Sequence, residues 1–233
     1  MLIAPASDSS LLIRFGNEVS RDAHRQVIAL FHAIQQLHDA RIRNLHPAYA
    51  SLLIDFDPFR LTHEELESIV APLLSSPLPP SPEPAPAVQI PVCYDCDLAP
   101  DLISVAHQTY LTPEQVIALH SGGDYFVYFL GFSPGFAYLG GVPRQLQVPR
   151  LASPRKHVSA GSVGLAGEQT GIYPHDSPGG WQLIGRTPLR MFVPSANLPS
   201  RLQLGDRVRF SRITRDEFDR LASEQVSLHD SRH

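Results

Sequence analysis

Residues 75–87 read SSPLPPSPEPAPA, and six prolines in this stretch prevent any helix or sheet ladder from running through it. Each proline removes a backbone donor and fixes φ, so a stiff, partly polyproline-II connector is expected here. Whatever the chain folds into must be built separately on either side. The expected organisation is an N-terminal α+β domain over residues 1–76, a Pro-rich linker over 77–87 and a second domain over 88–233. With 43% hydrophobic residues among 233, there is material for a core on both sides.

Before the linker, SSLLIRFG (9–16) and ASLLIDFDP (50–58) have the composition of strands. Between them, Val27, Leu30, Phe31, Ile34 and Leu37 fall on one face of a helix over 21–38. Thr62-His63-Glu64-Glu65 has capping-box spacing and opens a helix expected to reach Leu74. Strand, helix, strand, helix predicts a small α/β sandwich. After the linker, AVQIPVCY (87–94) is expected to be a strand and 101–110 a short helix. Thr112-Pro113-Glu114-Gln115 opens another helix that ends near His120. From Tyr125 onward, short apolar runs alternate with turns: YFVYFLGF, GSVGLAG, TGIYP, GWQLIG, RMFVP and DRVRFSRI. That punctuation predicts a closed or partly closed β structure, followed by a helix capped at Thr214.

Gly161 to Gly185 holds seven glycines, two prolines and the only tryptophan of the chain. The stretch is too interrupted for a helix and too apolar for a linker. It predicts tight β turns or a backbone that meets a ligand closely. Residues 125–190 contain six basic side chains (Arg144, Arg150, Arg155, Lys156, Arg186 and Arg190) and two acidic ones (Glu168 and Asp176). This window is therefore +4 in a chain of net charge -4. Local positive charge beside glycine-rich backbone predicts a barrel lining that attracts an anion, with solvated loop arginines as the alternative.

Other chemistries find no anchor. The whole-chain charge leaves no footprint for nucleic acid or anionic membrane. No apolar run approaches the roughly 20 residues of a spanning helix, and the first residues lack the cationic start of a signal peptide, so a cytoplasmic location is expected. The chain contains no P-loop, no G-x-G-x-x-G before a helix, no zincin motif and no G-x-S-x-G elbow. Cys93-Tyr94-Asp95-Cys96 has no second cysteine pair to complete a zinc site, and no metal site is expected. His120 and a set of uncharged polar and aromatic groups remain: Ser133, Tyr138, Ser162, Gln169, Thr170, Tyr173, Trp181 and Gln182. Such groups suit the positioning and electrostatic stabilisation of an anion better than a nucleophile triad.

Three stretches carry a family resemblance: IPVCY with PDL (90–102), HSGGDYFVYFLGFSPGFAYLGG (120–141) and PRLASPRKHVSAGSVGLAGEQTGIYPHDSPGGWQLIGRTPL (149–189). Together they closely resemble the B subunit family of bacterial ATP-dependent 5-oxoprolinase, also called KipI-like or allophanate hydrolase subunit 1. SSLLIRFG and SLLIDFDP extend the resemblance to the N-terminal domain. It implies a C-terminal cyclophilin-like β-barrel, a direct partner in the homologous 5-oxoprolinase C subunit, and a separate A subunit. It further implies ATP as co-substrate, with the Mg²⁺ that ATP brings, and opening of 5-oxoproline to L-glutamate through a phosphorylated amide. The alternative it implies is a regulator that inhibits a sensor histidine kinase.

Carried over by motif, the implied catalytic residues are His120, Arg155, Gln169 and Thr170. Arg155 would hold phosphate or carboxylate, with Lys156 as its competitor, Gln169 and Thr170 would bond the amide, and His120 would relay a proton. Gly135, Tyr138, Tyr173 and Trp181 would bind substrate. Cross-strand packing is the structural alternative for the three aromatics, and a helix C-terminal cap for His120.

Overall fold

The computed structural model describes residues 1–75 and 86–230, so most of the expected linker lies outside the described residues. The chain divides into two compact units, Met1–Pro84 and Ala85–His233. Both mix helix and strand.

In the first unit, β1 (Leu2–Ser7), β2 (Ser10–Arg14), α1 (Arg21–Gln36), β3 (Ile42–Pro47), β4 (Ser51–Phe56) and α2 (His63–Ser75) follow in order. The strands form one antiparallel sheet, β1-β2-β4-β3. Strand alternation sorts the side chains. Leu11 and Ile13 of β2 and Leu52, Ile54 and Phe56 of β4 share a core with Val27, Leu30 and Ile34 of α1 and Leu66 and Val70 of α2. Burial of each such side chain contributes about 1.5–3 kcal/mol. The Ser20 hydroxyl caps α1 by accepting from Ala23 N at 3.1 Å. The capping box at Thr62 closes in both directions, at 2.8 Å to the Glu65 carboxylate and 3.2 Å from the Glu65 amide. The sequence reading missed β1 and β3, LIAPAS and IRNLHP. They are the two edge strands, each contains a proline, and neither has a fully buried residue to reveal its period.

The second unit runs β5 (Val88–Val92), α3 (Leu102–Thr109), α4 (Pro113–Ser121), β6 (Tyr125–Leu130), β7 (Ala137–Gly140), β8 (Arg155–Val158), β9 (Ser162–Ala166), β10 (Gln169–Ile172), β11 (Ser177–Gly179), β12 (Gln182–Arg186), β13 (Arg207–Arg212) and α5 (Arg215–Asp230). Seven strands make one sheet, β12-β9-β10-β7-β6-β13-β5, while β8 and β11 pair separately. Within the seven-stranded sheet only β13 and β5 run parallel. Just past β5, Cys93 exchanges two 2.9 Å backbone hydrogen bonds with Arg186 at the end of β12. That exchange joins the two edge strands and curls the sheet into a nearly closed barrel.

The inside is filled. Val127, Leu139, Leu165, Ile172, Ile184, Val208 and Phe210 are buried in one cluster, to which α3 adds Leu102 and Val105 and α4 adds Val116 and Ile117. The lining is therefore apolar and packed, which corrects the expectation that it attracts an anion. The Thr112 capping box forms as expected, with both of its bonds. The expected strand RMFVP does not form. Only a single bridge, Phe192 to Ser200, is made there, and Pro194 offers no backbone donor to extend it. Among the described residues no helix is long and apolar enough to cross a membrane.

Candidate functional site

Most of the expected site residues divide between the two sides of the barrel-like sheet, while Arg155 lies on β8 of the separate β8–β11 pair and Gly135 in the β6–β7 loop. His120, in the last turn of α4, is fully buried. Its Nδ1 lies 2.8 Å from the Tyr94 hydroxyl and its Nε2 3.3 Å from Thr170 Oγ1, which donates to the Gly164 carbonyl at 2.9 Å. The donor order follows from that last bond. Thr170 spends its proton on Gly164, so it accepts from His120 Nε2–H, and Nδ1 accepts from Tyr94. The ring stacks on Phe210 at 4.4 Å, and burial pushes its pKa from 6.5 down to about 3. His120 is thus a neutral core group that ties α4, β10 and β9 together.

The other face of the same strands carries aromatic rings. Phe136, Tyr173 and Trp181 are buried, with Tyr138 half-buried against them. Phe136 meets Tyr138, Tyr173 and Trp181 edge-on at 5.0, 5.4 and 5.5 Å, and Phe129 stacks on Tyr138 at 4.4 Å. The cross-strand packing alternative therefore accounts for much of Tyr173 and Trp181. It also explains a glycine, because a Cβ on Gly164 would stand 2.9 Å from the Trp181 Cβ. Gly135 precedes the cluster with φ +84, and a Cβ there would fall 2.6 Å from the Phe192 Cβ. Beside it, Phe132 holds φ +68 and is 62% exposed, the strained conformation of a bulky residue at the rim of the patch.

Gln169 pairs with Ala166 and Gly140, and alternation places it on this outer face, opposite to Thr170. Its Oε1 is buried without a hydrogen-bond partner among the described residues, as is Ser133 Oγ in the β6–β7 loop. Arg155 is committed elsewhere. It pairs with Asp101 at 2.5 Å, and the second oxygen of that carboxylate accepts from Leu183 N at 2.6 Å. The pair docks the start of α3 on β12, and the charge expected to hold an anion is already matched. Arg150 is different. Its guanidinium lies over the Trp181 ring at 5.9 Å, and among the described residues it has no carboxylate within salt-bridge distance. Burial raises the Tyr138 and Tyr173 phenols, and the Arg150 charge opposes that rise at both. Among the described residues no three His, Cys, Asp or Glu side chains come together to hold a metal.

The family model for the carboxyltransferase domain, subdomains C and D, matches residues 1–202. The chain is 39% identical over 226 residues to the 5-oxoprolinase B subunit of Bacillus subtilis, covering 93% of this chain and 94% of that one. It is 54% identical over 123 residues to the Escherichia coli O157:H7 protein of the same name, covering 53% of this chain and 56% of that one. The crystal structure of TTHA0988 superposes with a TM-score of 0.78 at 39% identity, over 88% of this chain and 40% of that longer one. The chain belongs to the 5-oxoprolinase B subunit family. The matched region includes every expected site residue. Three residues that the motifs did not single out complete the picture: Tyr94 in the inner chain, Asp101 as the partner of Arg155, and Arg150 over Trp181. The signals for Asp101 were its place in the PDL segment and an acidic residue at the cap position of α3.

Proposed function

We propose that this chain is the B subunit of an ATP-dependent 5-oxoprolinase, working in the cytoplasm with the C and A subunits. The observation that carries the reading is the match along nearly the whole chain to a relative named as a 5-oxoprolinase B subunit. In the reaction, the lactam oxygen of 5-oxoproline attacks the γ-phosphorus of ATP and ADP leaves. Water then adds to the activated carbon and the ring C–N bond breaks, with the nitrogen leaving as the amine, to give the γ-acyl phosphate of glutamate. A second water displaces phosphate to release L-glutamate. ATP enters as a co-substrate, and Mg²⁺ would arrive on its phosphates.

The outer face of the cyclophilin-like barrel is the part of this chain that meets the substrate. Its donors are ring faces, one guanidinium and an amide, a set that suits an anionic organic molecule and not a divalent cation. Tyr138 supplies an accessible ring, Tyr173 and Trp181 form the floor beneath, and Gln169 offers its unpartnered oxygen to an N–H donor such as a lactam. Gly135 shapes the loop that carries Phe132. His120 and Thr170 act as positioning residues from inside the sheet, and Arg155, beside Trp181 and Tyr173, holds α3 against β12 through Asp101.

The test is ATP- and 5-oxoproline-dependent glutamate release by the three purified subunits, with this chain left out of the control. Loss of release on omission is the expected result. Undiminished release would instead support the regulator of a sensor kinase.

A further inference from the structure

We infer that Arg150, and not Arg155, is the specificity residue of the outer face, taking the carboxylate of a small cyclic amide whose ring lies against Tyr138. The inference rests on the substrate reading above and adds the group that selects the acid. Four observations carry it. Arg155 is held by Asp101, whose oxygens are both engaged, so it has no charge to spare. Arg150 is exposed, has no carboxylate partner among the described residues, and sits over Trp181 on the face that carries the half-buried Tyr138. Its charge acts on the Tyr138 hydroxyl, where that of Arg155 does not, and both arginines act on Tyr173. With Arg150 placed over the adjoining Trp181 ring, an anion there would lie beside Tyr138. Gln169, on the same face, keeps a buried oxygen unpartnered, and a turn of its side chain toward the ligand would supply the acceptor that a ring N–H requires.

One guanidinium matches one carboxylate in charge and in its planar two-oxygen geometry. A triphosphate carries several charges and calls for a cradle of donors, so the carboxylate of the substrate is the assigned occupant.

Trp181 is the only tryptophan in the chain, which makes intrinsic fluorescence of the full-length protein a direct reporter of what happens at Arg150. The titrants are 5-oxoproline, 2-pyrrolidinone (the same lactam without its carboxylate) and ATP. Wild-type protein should give a saturable change with 5-oxoproline. In Arg150→Gln the affinity should fall about 10- to 100-fold, the loss of a charged hydrogen-bonded pair, while the weak response to 2-pyrrolidinone stays the same in both proteins. The matching kinetic result is a KM for 5-oxoproline raised by a similar factor in the reconstituted glutamate-release assay, with kcat close to wild type. The inference is overturned by unchanged 5-oxoproline affinity in Arg150→Gln, by wild-type emission that ignores 5-oxoproline, or by an Arg150-dependent response to ATP in its place. Those failures are distinct from failure of the broader reading, which shows only as glutamate release that survives omission of the chain.

Discussion

Gln169 and Thr170 are neighbours in β10, yet Thr170 closes a hydrogen-bond chain inside the barrel-like sheet while Gln169 leaves an oxygen unpartnered on the outside. The contrast extends to whole faces. Inside, each polar atom of the His120–Thr170 chain has a partner and the histidine is neutral, which is how a polar group survives in an apolar core. Outside, the rings pack well but the polar groups are under-satisfied and Arg150 has no counter-charge among the described residues. A satisfied network stabilises, whereas an unsatisfied one has capacity left for a ligand. The inner face should therefore answer to stability measurements and the outer face to binding.

The largest effect is expected at His120. Replacing it with alanine empties a ring-sized volume beside Phe210 and strips partners from Tyr94 and Thr170, at a cost of about 4 kcal/mol. Urea unfolding of the full chain measures it, and a loss below about 1 kcal/mol would remove the structural role from the inner chain. Next comes the ion pair that links α3 to β12. Asp101→Ala abandons Arg155 and the Leu183 amide together and should cost about 3 kcal/mol. Arg155→Gln sharpens the comparison further. Destabilisation with ligand affinity retained keeps Arg155 a positioning residue, whereas lost affinity at wild-type stability would make it a ligand contact.

Helices and their caps were legible in the sequence. Thr62 and Thr112 both carry capping-box spacing, and local hydrogen bonds need no knowledge of the rest of the chain. The faces were not legible. β9 (SVGLA) is buried at every position and β10 (QTGI) at its last three, so the period of two leaves little trace in hydrophobicity, and Gln169 and Thr170 of β10 looked like one joint site. The charges were equally opaque. Arg150 and Arg155 lie five residues apart in one loop-rich stretch, and only the fold shows that Asp101, 54 positions before Arg155, matches one of them. The glycines were legible as close approaches, but the sequence did not show that Gly164, Gly171 and Gly179 approach the outer rings while Gly161 approaches the Thr187 carbonyl and Gly185 approaches Val92.

Acid sensitivity separates the faces by a different measurement. Burial lowers the His120 pKa from 6.5 to about 3, so the unfolded chain takes up this proton more readily than the folded one. Stability from the neutral ring is complete above pH 6.5 and is lost as pH falls toward 3, at about 1.4 kcal/mol per pH unit from this group. Unfolding measured between pH 7 and 5, above the range where most carboxylates titrate, should show the decline. His120→Gln should flatten it, and an equally steep curve in that variant would place the sensitivity elsewhere.

The smallest effect has the opposite sign. Gln169 buries an oxygen without a partner, and a leucine of similar length would fill the same space without that desolvation cost. Gln169→Leu is therefore expected to raise stability by about 1 kcal/mol while weakening 5-oxoproline binding, because the acceptor for the ring N–H is gone. Thermal unfolding and the Trp181 titration read the two quantities on the same sample. A stabilised protein with intact binding would detach Gln169 from the ligand. A destabilised one would mean that its oxygen is satisfied after all, and the outer face would lose the polar vacancy that distinguishes it from the inner one.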